Sequence, residues 1–96
     1  MTEYVLISLF EVPKGRDDEF VALWHRGAAH TRAADGFVWT KLCRDAEGAT
    51  DYRYVSVTVW QSVAQYKAAF ADPRLEAFKA EFPFAMRPNI YEVVAE

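Results

Sequence analysis

Alternating side-chain character along residues 52–62, which read YRYVSVTVWQS, constrains the fold more than any other stretch of this chain. Val55, Val57 and Val59 occupy one parity, and the other parity from residue 54 to residue 60 carries Tyr, Ser, Thr and Trp. Successive side chains of a strand point to opposite faces of its sheet, so this stretch predicts a strand with one aliphatic face and one mixed face of aromatic and hydroxyl groups. Neither face resembles a solvent-exposed surface, and we therefore expect both sides of the sheet to be covered.

Turn and capping residues predict the other elements. The predicted strands are Tyr4–Glu11, Phe37–Arg44, the alternating stretch within residues 52–62, and Asn89–Val94. The predicted helices run from Asp17 to about Ala34 and from Ser62 to about Phe70, and Asp72-Pro73 starts a further helical segment. Residues 83–89 are predicted to form a turn. Asp17 is the expected N-cap of the first helix, and Ser62 with Gln65 forms a capping box. The order β-α-β-β-α-β predicts one α+β ferredoxin-like domain over residues 1–96, with a four-stranded antiparallel sheet and helices on one face.

The first predicted strand repeats the alternation, since Val5, Ile7 and Leu9 share one parity. Two aliphatic rows on one sheet face would expose a patch large enough to mark an interface, so we expect a homodimer formed through that face, as a dimeric α+β barrel. The alternative is a monomer whose aliphatic rows form the core beneath the helices. That arrangement would turn Tyr4, Ser8, Tyr54, Ser56 and Trp60 outward, which is a poor solvent surface for a chain that is already 16% aromatic.

Composition excludes several classes of function. The net charge is −3 and no run of Lys or Arg occurs, which argues against nucleic acid as a partner. Cys43 is the single cysteine, as expected for a protein of a reducing compartment, and neither a signal peptide nor a membrane span is visible, so the prediction is cytoplasmic with no membrane partner. No metal-ligand pattern and no Gly-rich phosphate loop is present, so no metal and no cofactor is expected.

Four segments, in their order and spacing, resemble the antibiotic biosynthesis monooxygenase (ABM) family over about residues 4–94: PKGRDDEF (13–20), DGF (35–37), VWQS (59–62) and IYEVV (90–94). The resemblance implies a dimeric α+β barrel whose two sheets pack face to face, with substrate held between each sheet and its own helices. It implies that the mixed face lines this cavity through Tyr4, Leu6, Ser8, Phe10, Tyr54, Ser56, Thr58 and Trp60. Members of the family oxidise aromatic polyketides with O₂ and no metal or flavin, degrade haem, isomerise or decarboxylate.

The cofactor-free oxygenases of the family are the more similar branch, because they carry a Trp followed six residues later by a Tyr, as Trp60 and Tyr66 are here. The implied function is oxidation of a small aromatic, polyketide-like or quinol substrate. The implied catalytic residues are Trp60 and Tyr66; the implied substrate contacts are Ser8, Phe10, Tyr54, Ser56 and Arg74, with Lys79 as an alternative to Arg74. Those oxygenases have Asn where this chain has Ser56, so a hydroxyl replaces the amide at the implied contact with the substrate carbonyl.

Histidine placement separates the remaining alternatives. His25 lies at the margin of the first helix's apolar stripe and is a candidate general base, although a surface position is the simpler interpretation. Haem-degrading relatives carry an Asn at the position of Ser8 and a ligand His near Lys79 or Phe82, and this chain has no histidine after His30. Haem degradation is therefore disfavoured. A non-oxidative binding or isomerising domain of the same fold, with Trp60 and Tyr66 as inert core aromatics, stays open.

Overall fold

Seven elements follow one another along residues 3–96, the part of the chain that the computed structural model describes. They are β1 (Tyr4–Glu11), α1 (Asp17–Arg32), β2 (Phe37–Arg44), β3 (Tyr54–Trp60), α2 (Val63–Phe70), α3 (Pro73–Glu81) and β4 (Ala85–Glu92). The strands form one antiparallel sheet in the order β2-β3-β1-β4. This confirms the predicted ferredoxin-like arrangement, with the second helical region divided into α2 and α3.

The mixed face of the sheet lies under the helices. Ser8 pairs with Ser56, and Leu6 pairs with Thr58, in the register between the two central strands. All four residues are at most 7% exposed. Burying hydroxyls on central strands is costly unless they find hydrogen-bond partners, so this face requires polar groups from neighbouring elements.

The opposite, outer face of the sheet carries the aliphatic rows and is covered by no helix of residues 3–96. Five of its residues are half-buried, namely Val5, Ile7, Leu9, Val55 and Val57. Val59 is buried, and its register neighbour Trp39 is 42% exposed. The alternative in which the valines form the core beneath the helices is therefore wrong.

Two boundaries differ from prediction because of local chemistry. Strand β4 begins at Ala85, within the predicted turn, and includes Pro88. Proline lacks an amide hydrogen, but β4 is an edge strand and one of its sides needs no ladder bonds. Arg16, not Asp17, occupies the N-cap position of α1, and it makes no side-chain cap. The Asp17 carboxylate instead accepts hydrogen bonds from the Tyr54 hydroxyl and from Arg53 Nη2, each at 2.7 Å.

Capping at the other two helices follows the sequence. Ser62 Oγ accepts from Gln65 N at 3.1 Å at the start of α2, and Asp72 Oδ1 accepts from Arg74 N at 2.8 Å at the start of α3. Gly36, which precedes β2, has φ of +87°, and a Cβ there would lie 2.5 Å from the Gln65 side chain. A glycine is required at this position both for its backbone conformation and for the close approach of α2.

Two aromatic clusters pack at opposite ends of the helix-covered face. One contains Phe10, Phe20, Tyr54 and Phe84, with Phe20 fully buried. The other surrounds Trp60, whose ring centroid lies 6.0–6.4 Å from those of Phe37, Tyr66 and Phe70. Because both ends are filled, the remaining free space lies between them, over the middle of β1 and β3.

Candidate functional site

A cavity of about 170 Å³ lies between the mixed face of the sheet and the helices. Its walls are mostly apolar and include Trp24, Phe70, Phe78, Phe82 and Met86. Its polar groups are the hydroxyls of Ser8, Thr31, Thr40, Ser56, Thr58 and Tyr66, together with Lys79. An apolar enclosure with a few convergent polar groups is the general form of a small-molecule site.

The hydroxyls on the sheet side of the cavity are held by neighbouring elements. Trp24, which reaches down from α1, donates its indole Nε1–H to Ser56 Oγ at 3.0 Å. Thr40 and Thr58 are joined across β2 and β3 at 2.8 Å between their Oγ1 atoms. Thus the two hydroxyls that β3 buries beside the cavity, those of Ser56 and Thr58, have partners before any ligand arrives.

Two titratable side chains reach the cavity from the helices. Burial raises the pKa of the Tyr66 phenol, so this group keeps its proton at neutral pH and can donate a hydrogen bond. Lys79 lies on the cavity wall with Nζ 3.4 Å from Glu76 Oε1 and 5.5 Å from the centre of the Phe70 ring. A lysine at this position places its side-chain nitrogen on the wall of a mostly apolar cavity.

Four of the predicted site residues line the cavity: Ser8, Phe10, Ser56 and Tyr66. Trp60 does not, because it is fully buried behind the Tyr66 and Phe70 rings. Among residues 3–96, its buried indole Nε1 has no hydrogen-bond partner.

The other three predicted site residues also lie outside the cavity lining. The Tyr54 hydroxyl donates to Asp17, and burial is the main cause that raises the pKa of this phenol. His25 is exposed on α1, edge-on to the neighbouring Trp24 ring at 5.3 Å between centroids. Arg74 is exposed and pairs with Asp72 at 3.1 Å. The roles proposed for these residues from sequence stay predictions that this geometry does not favour.

Trp24 is one of the cavity residues to which the sequence analysis gave no role. Its spacing from Phe20, Gly27 and Ala28 places it on the inward stripe of α1, which predicts burial. Its partner Ser56 lies 32 residues away on another element. A pattern within one helix carries no information about such a contact, so the stripe was the only available signal.

Two further kinds of feature are absent from the part of the chain that the structure describes. Residues 3–96 contain no group of three or more His, Cys, Asp or Glu side chains arranged to hold a metal ion. None of the helices in that range has the length and apolar character needed to cross a membrane.

Comparison with known proteins places the chain among relatives of one fold. The model of the antibiotic biosynthesis monooxygenase family matches residues 3–81. A mutant of SnoaB, a cofactor-independent oxygenase from Streptomyces nogalater, superposes with a TM-score of 0.86 at 23% identity, covering 98% of this chain and 95% of that one. At that identity the likeness shows the fold alone.

Two further solved structures are similar at slightly higher identity. A haem-degrading protein of Mycobacterium tuberculosis gives a TM-score of 0.72 at 26% identity, covering 98% of this chain and 96% of its own. A mutant of MhuD with two manganese protoporphyrin IX molecules per active site gives 0.74 at 28%, covering 97% and 96%. No curated protein matches the sequence.

Proposed function

The chain belongs to the antibiotic biosynthesis monooxygenase family, and from that premise we propose that its cavity binds a small aromatic phenol and promotes the oxidation of that phenol by O₂ without a cofactor. The observation that carries the proposal is the cavity itself, because its walls are aromatic and its hydroxyls, with one lysine, converge on the same space. SnoaB, whose fold this chain shares, is a cofactor-independent oxygenase.

Cavity size supports a substrate of one or two rings. The free volume is about 170 Å³, and an apolar cavity of roughly 150 Å³ can hold benzene. Trp24, Phe78 and Phe82 provide ring faces and edges for stacking, while Ser8 and Ser56 lie directly opposite each other on the two central strands. An oxygen substituent of a planar ring that points toward the sheet would meet these two serines.

The chemistry requires an electron-rich ring and little else from the protein. A phenol that loses its proton becomes a carbanion-like reductant, and O₂ then adds at a ring carbon that bears hydrogen, para to the oxygen, to form a hydroperoxide. Loss of water from that hydroperoxide leaves a carbonyl, so one oxygen atom enters the product and the other leaves as water. The protein must favour the anion, exclude bulk water and supply a proton to the peroxide oxygen.

Residues of this cavity suit those tasks. The ammonium of Lys79 favours an anionic substrate by electrostatic attraction. The Tyr66 phenol, whose pKa burial raises, stays protonated and can donate to a developing oxyanion or peroxide. The hydroxyls of Ser8 and Ser56 provide hydrogen-bond donors on the sheet side.

Haem is the second candidate ligand, since two similar structures come from haem-binding or haem-degrading proteins. The donor set of this cavity does not fit it. No histidine lines the cavity, and both histidines, His25 and His30, are exposed on α1. Ser8, Lys79 and Phe82 occupy the positions where the family resemblance would require the Asn and His of the haem branch. No step of the proposed reaction therefore passes through haem, and we expect no Soret shift when haemin is titrated into the protein.

Oxygen uptake tests the proposal directly. The purified protein is incubated with 1-naphthol or with phenols whose para carbon bears hydrogen, while O₂ consumption and quinone absorbance are followed against a protein-free control. We expect catalysed uptake that falls at least about tenfold in Lys79→Gln or Tyr66→Phe. Lys67→Gln, the same exchange on the exposed side of α2, is the matched control. Uptake equal to the protein-free rate across the substrate series would leave the non-oxidative binding or isomerising role instead.

We also propose that a second copy of the chain covers the outer face of the sheet. The aliphatic rows there are flanked by Trp39, which is 42% exposed, and Tyr91, which is 49% exposed. Arg87 and Asn89 give one edge of the face a polar rim. An apolar centre with aromatic residues and a polar rim is the usual composition of a subunit interface. The lone, exposed thiol of Cys43 supports the further proposal of a cytoplasmic location.

A further inference from the structure

The hydrogen bond between Trp24 and Ser56 has a fixed direction. An indole N–H can only donate, so Ser56 Oγ must be the acceptor in this 3.0 Å contact. The Thr40–Thr58 pair lacks this property, because either hydroxyl can donate there. A serine hydroxyl has one proton and two lone pairs, and with Trp24 on a lone pair the Ser56 proton must point away from the indole.

The remaining surroundings of Ser56 lead its proton toward the cavity. Ser56 is 7% exposed, lines the cavity and belongs to β3, which is hydrogen-bonded to strands on both sides. Its register neighbour Ser8 also lines the cavity. The indole lies on one side of the Ser56 hydroxyl and hydrogen-bonded backbone lies on two others. The proton of this hydroxyl therefore points into the cavity.

The Trp24 indole is itself held in place. It packs against the aromatic cluster that contains Phe10. The centre of the His25 ring lies 5.3 Å from that of Trp24, with 74° between the ring planes, and the guanidinium carbon of Arg32 lies 6.0 Å from the centre of the indole ring. Because these contacts restrict the Trp24 side chain, it loses little conformational entropy when it holds its hydrogen bond to Ser56, which is what a positioning residue requires.

We infer that Ser56 donates its hydrogen bond to an oxyanion of the bound aromatic substrate and that Trp24 is a positioning residue which directs this donation. The inference deepens the proposed function and rests on it in one respect, that the cavity is the substrate site. It names a substrate class: aromatics that bind as phenolates, with the ionised oxygen on the sheet side. Hydrogen bonds to ionised acceptors are the stronger kind, and donation from the indole polarises the serine hydroxyl further.

Equilibrium binding of 4-nitrophenol tests the inference without turnover. The dissociation constant is measured for the phenol at acid pH and for the phenolate at alkaline pH, and the ratio of the two is the preference for the anion. Tyr66 from α2 and Lys79 from α3 are the titratable groups that line the same cavity. Both groups affect the absolute ratio of the two dissociation constants. The test therefore compares this ratio between the wild type and the variants.

We expect Ser56→Ala to lower the preference for phenolate about tenfold, because a hydrogen bond to a charged acceptor is lost. Trp24→Phe keeps an aromatic ring and removes the N–H, and we expect a loss of about threefold. In the Ser56→Ala background, Trp24→Phe should have no further effect, since the indole acts through the serine. Trp39→Phe, the same exchange on the outer face, is the control and should leave the ratio unchanged.

Three results would overturn the inference: an unchanged ratio in Ser56→Ala, an equal loss from Trp24→Phe in both backgrounds, or no binding of either form to the wild type. Should Trp24→Phe fold poorly, indole N–H resonances of the wild type decide. The Trp24 signal should move downfield with phenolate and stay in place in Ser56→Ala. A protein that prefers phenolate and consumes no O₂ would refute the proposed oxidation and leave this inference standing.

Discussion

Replacing Trp60 with phenylalanine should cost this protein little stability, although Trp60 is fully buried. The reason is its indole Nε1, which is buried without a hydrogen-bond partner among residues 3–96. Trp24 provides the contrast, since it is half-buried and its Nε1–H donates to Ser56 at 3.0 Å. The same exchange at these two positions removes an unpaired donor in one case and a paired donor in the other.

The expected loss of stability is larger for Trp24→Phe than for Trp60→Phe, although the burial of the two side chains alone would predict the opposite order. Losing two buried carbon atoms in Trp60→Phe costs about 1.5 kcal/mol at roughly 0.8 kcal/mol per carbon, and removing an unsatisfied buried donor returns about 1–3 kcal/mol. The net change should lie near zero. Trp24→Phe also removes two carbon atoms, which are only partly buried, and it loses about 1 kcal/mol of hydrogen bonding. The expected destabilisation is therefore about 2 kcal/mol in total.

Urea denaturation followed by far-ultraviolet circular dichroism measures both changes without relying on tryptophan emission. Protomer concentration is held constant, because association would stabilise the folded state by mass action. Equal m-values in the three proteins are required before midpoints are compared. If Trp60→Phe is destabilised as much as Trp24→Phe or more, the Trp60 N–H is satisfied in solution and the reasoning from its unpaired state is refuted.

Three further predictions concern acid stability, association and backbone strain. The hydrogen bond from Tyr54 is the main cause that holds the pKa of Asp17 below its ordinary value of 3.8, so this carboxylate stabilises the fold above that value and the contribution is lost as pH falls through the lowered pKa. Asp17→Asn should flatten that part of the pH dependence of the urea midpoint, and an unaltered profile would contradict it. Val57→Lys on the outer face should yield a monomer in sedimentation, whereas a persisting dimer would place the interface elsewhere. At Gly15, φ is +91° and no atom lies within 4 Å of an added Cβ, so Gly15→Ala should cost roughly 1–2 kcal/mol from its backbone conformation alone. At Gly36, φ is +87° and an added Cβ would also lie 2.5 Å from the Gln65 side chain of α2, so Gly36→Ala should lose more stability. Equal losses of the two variants in thermal melts would rule out the effect of this contact.

The fold could be predicted from this sequence because its strongest signals are local. Alternation along 54–60 separates the two sheet faces, and the caps at Ser62 and Asp72 begin α2 and α3 where the structure has them. The start of β4 could not be predicted, because Pro88 reads as a breaker unless the strand is known to be at the sheet edge. Edge position is a property of the whole sheet and has no signature within the segment.

The candidate site was predictable only in part, for a related reason. Parity places Ser8, Phe10 and Ser56 on the cavity face correctly, because strand alternation is strict. Parity also groups Trp60 with them, and the structure shows that the same face is filled at its ends and open in its middle. Which part of a face stays open depends on how large side chains from several elements meet, and one strand's sequence does not contain that information.

The polar residues of β3 connect stability with binding. A central strand that buries Ser56 and Thr58 would be penalised if those hydroxyls lacked partners. Trp24 and Thr40 supply one partner each, at 3.0 and 2.8 Å, so these two hydroxyls are hydrogen-bonded in the folded protein without a ligand. A ligand therefore meets a Ser56 hydroxyl whose orientation is already set and loses little free energy in ordering it. Binding strength should then depend mainly on how well the ring fits among the aromatic side chains of the cavity, which include Trp24. Among rings of equal size, those that carry an anionic oxygen should bind more tightly.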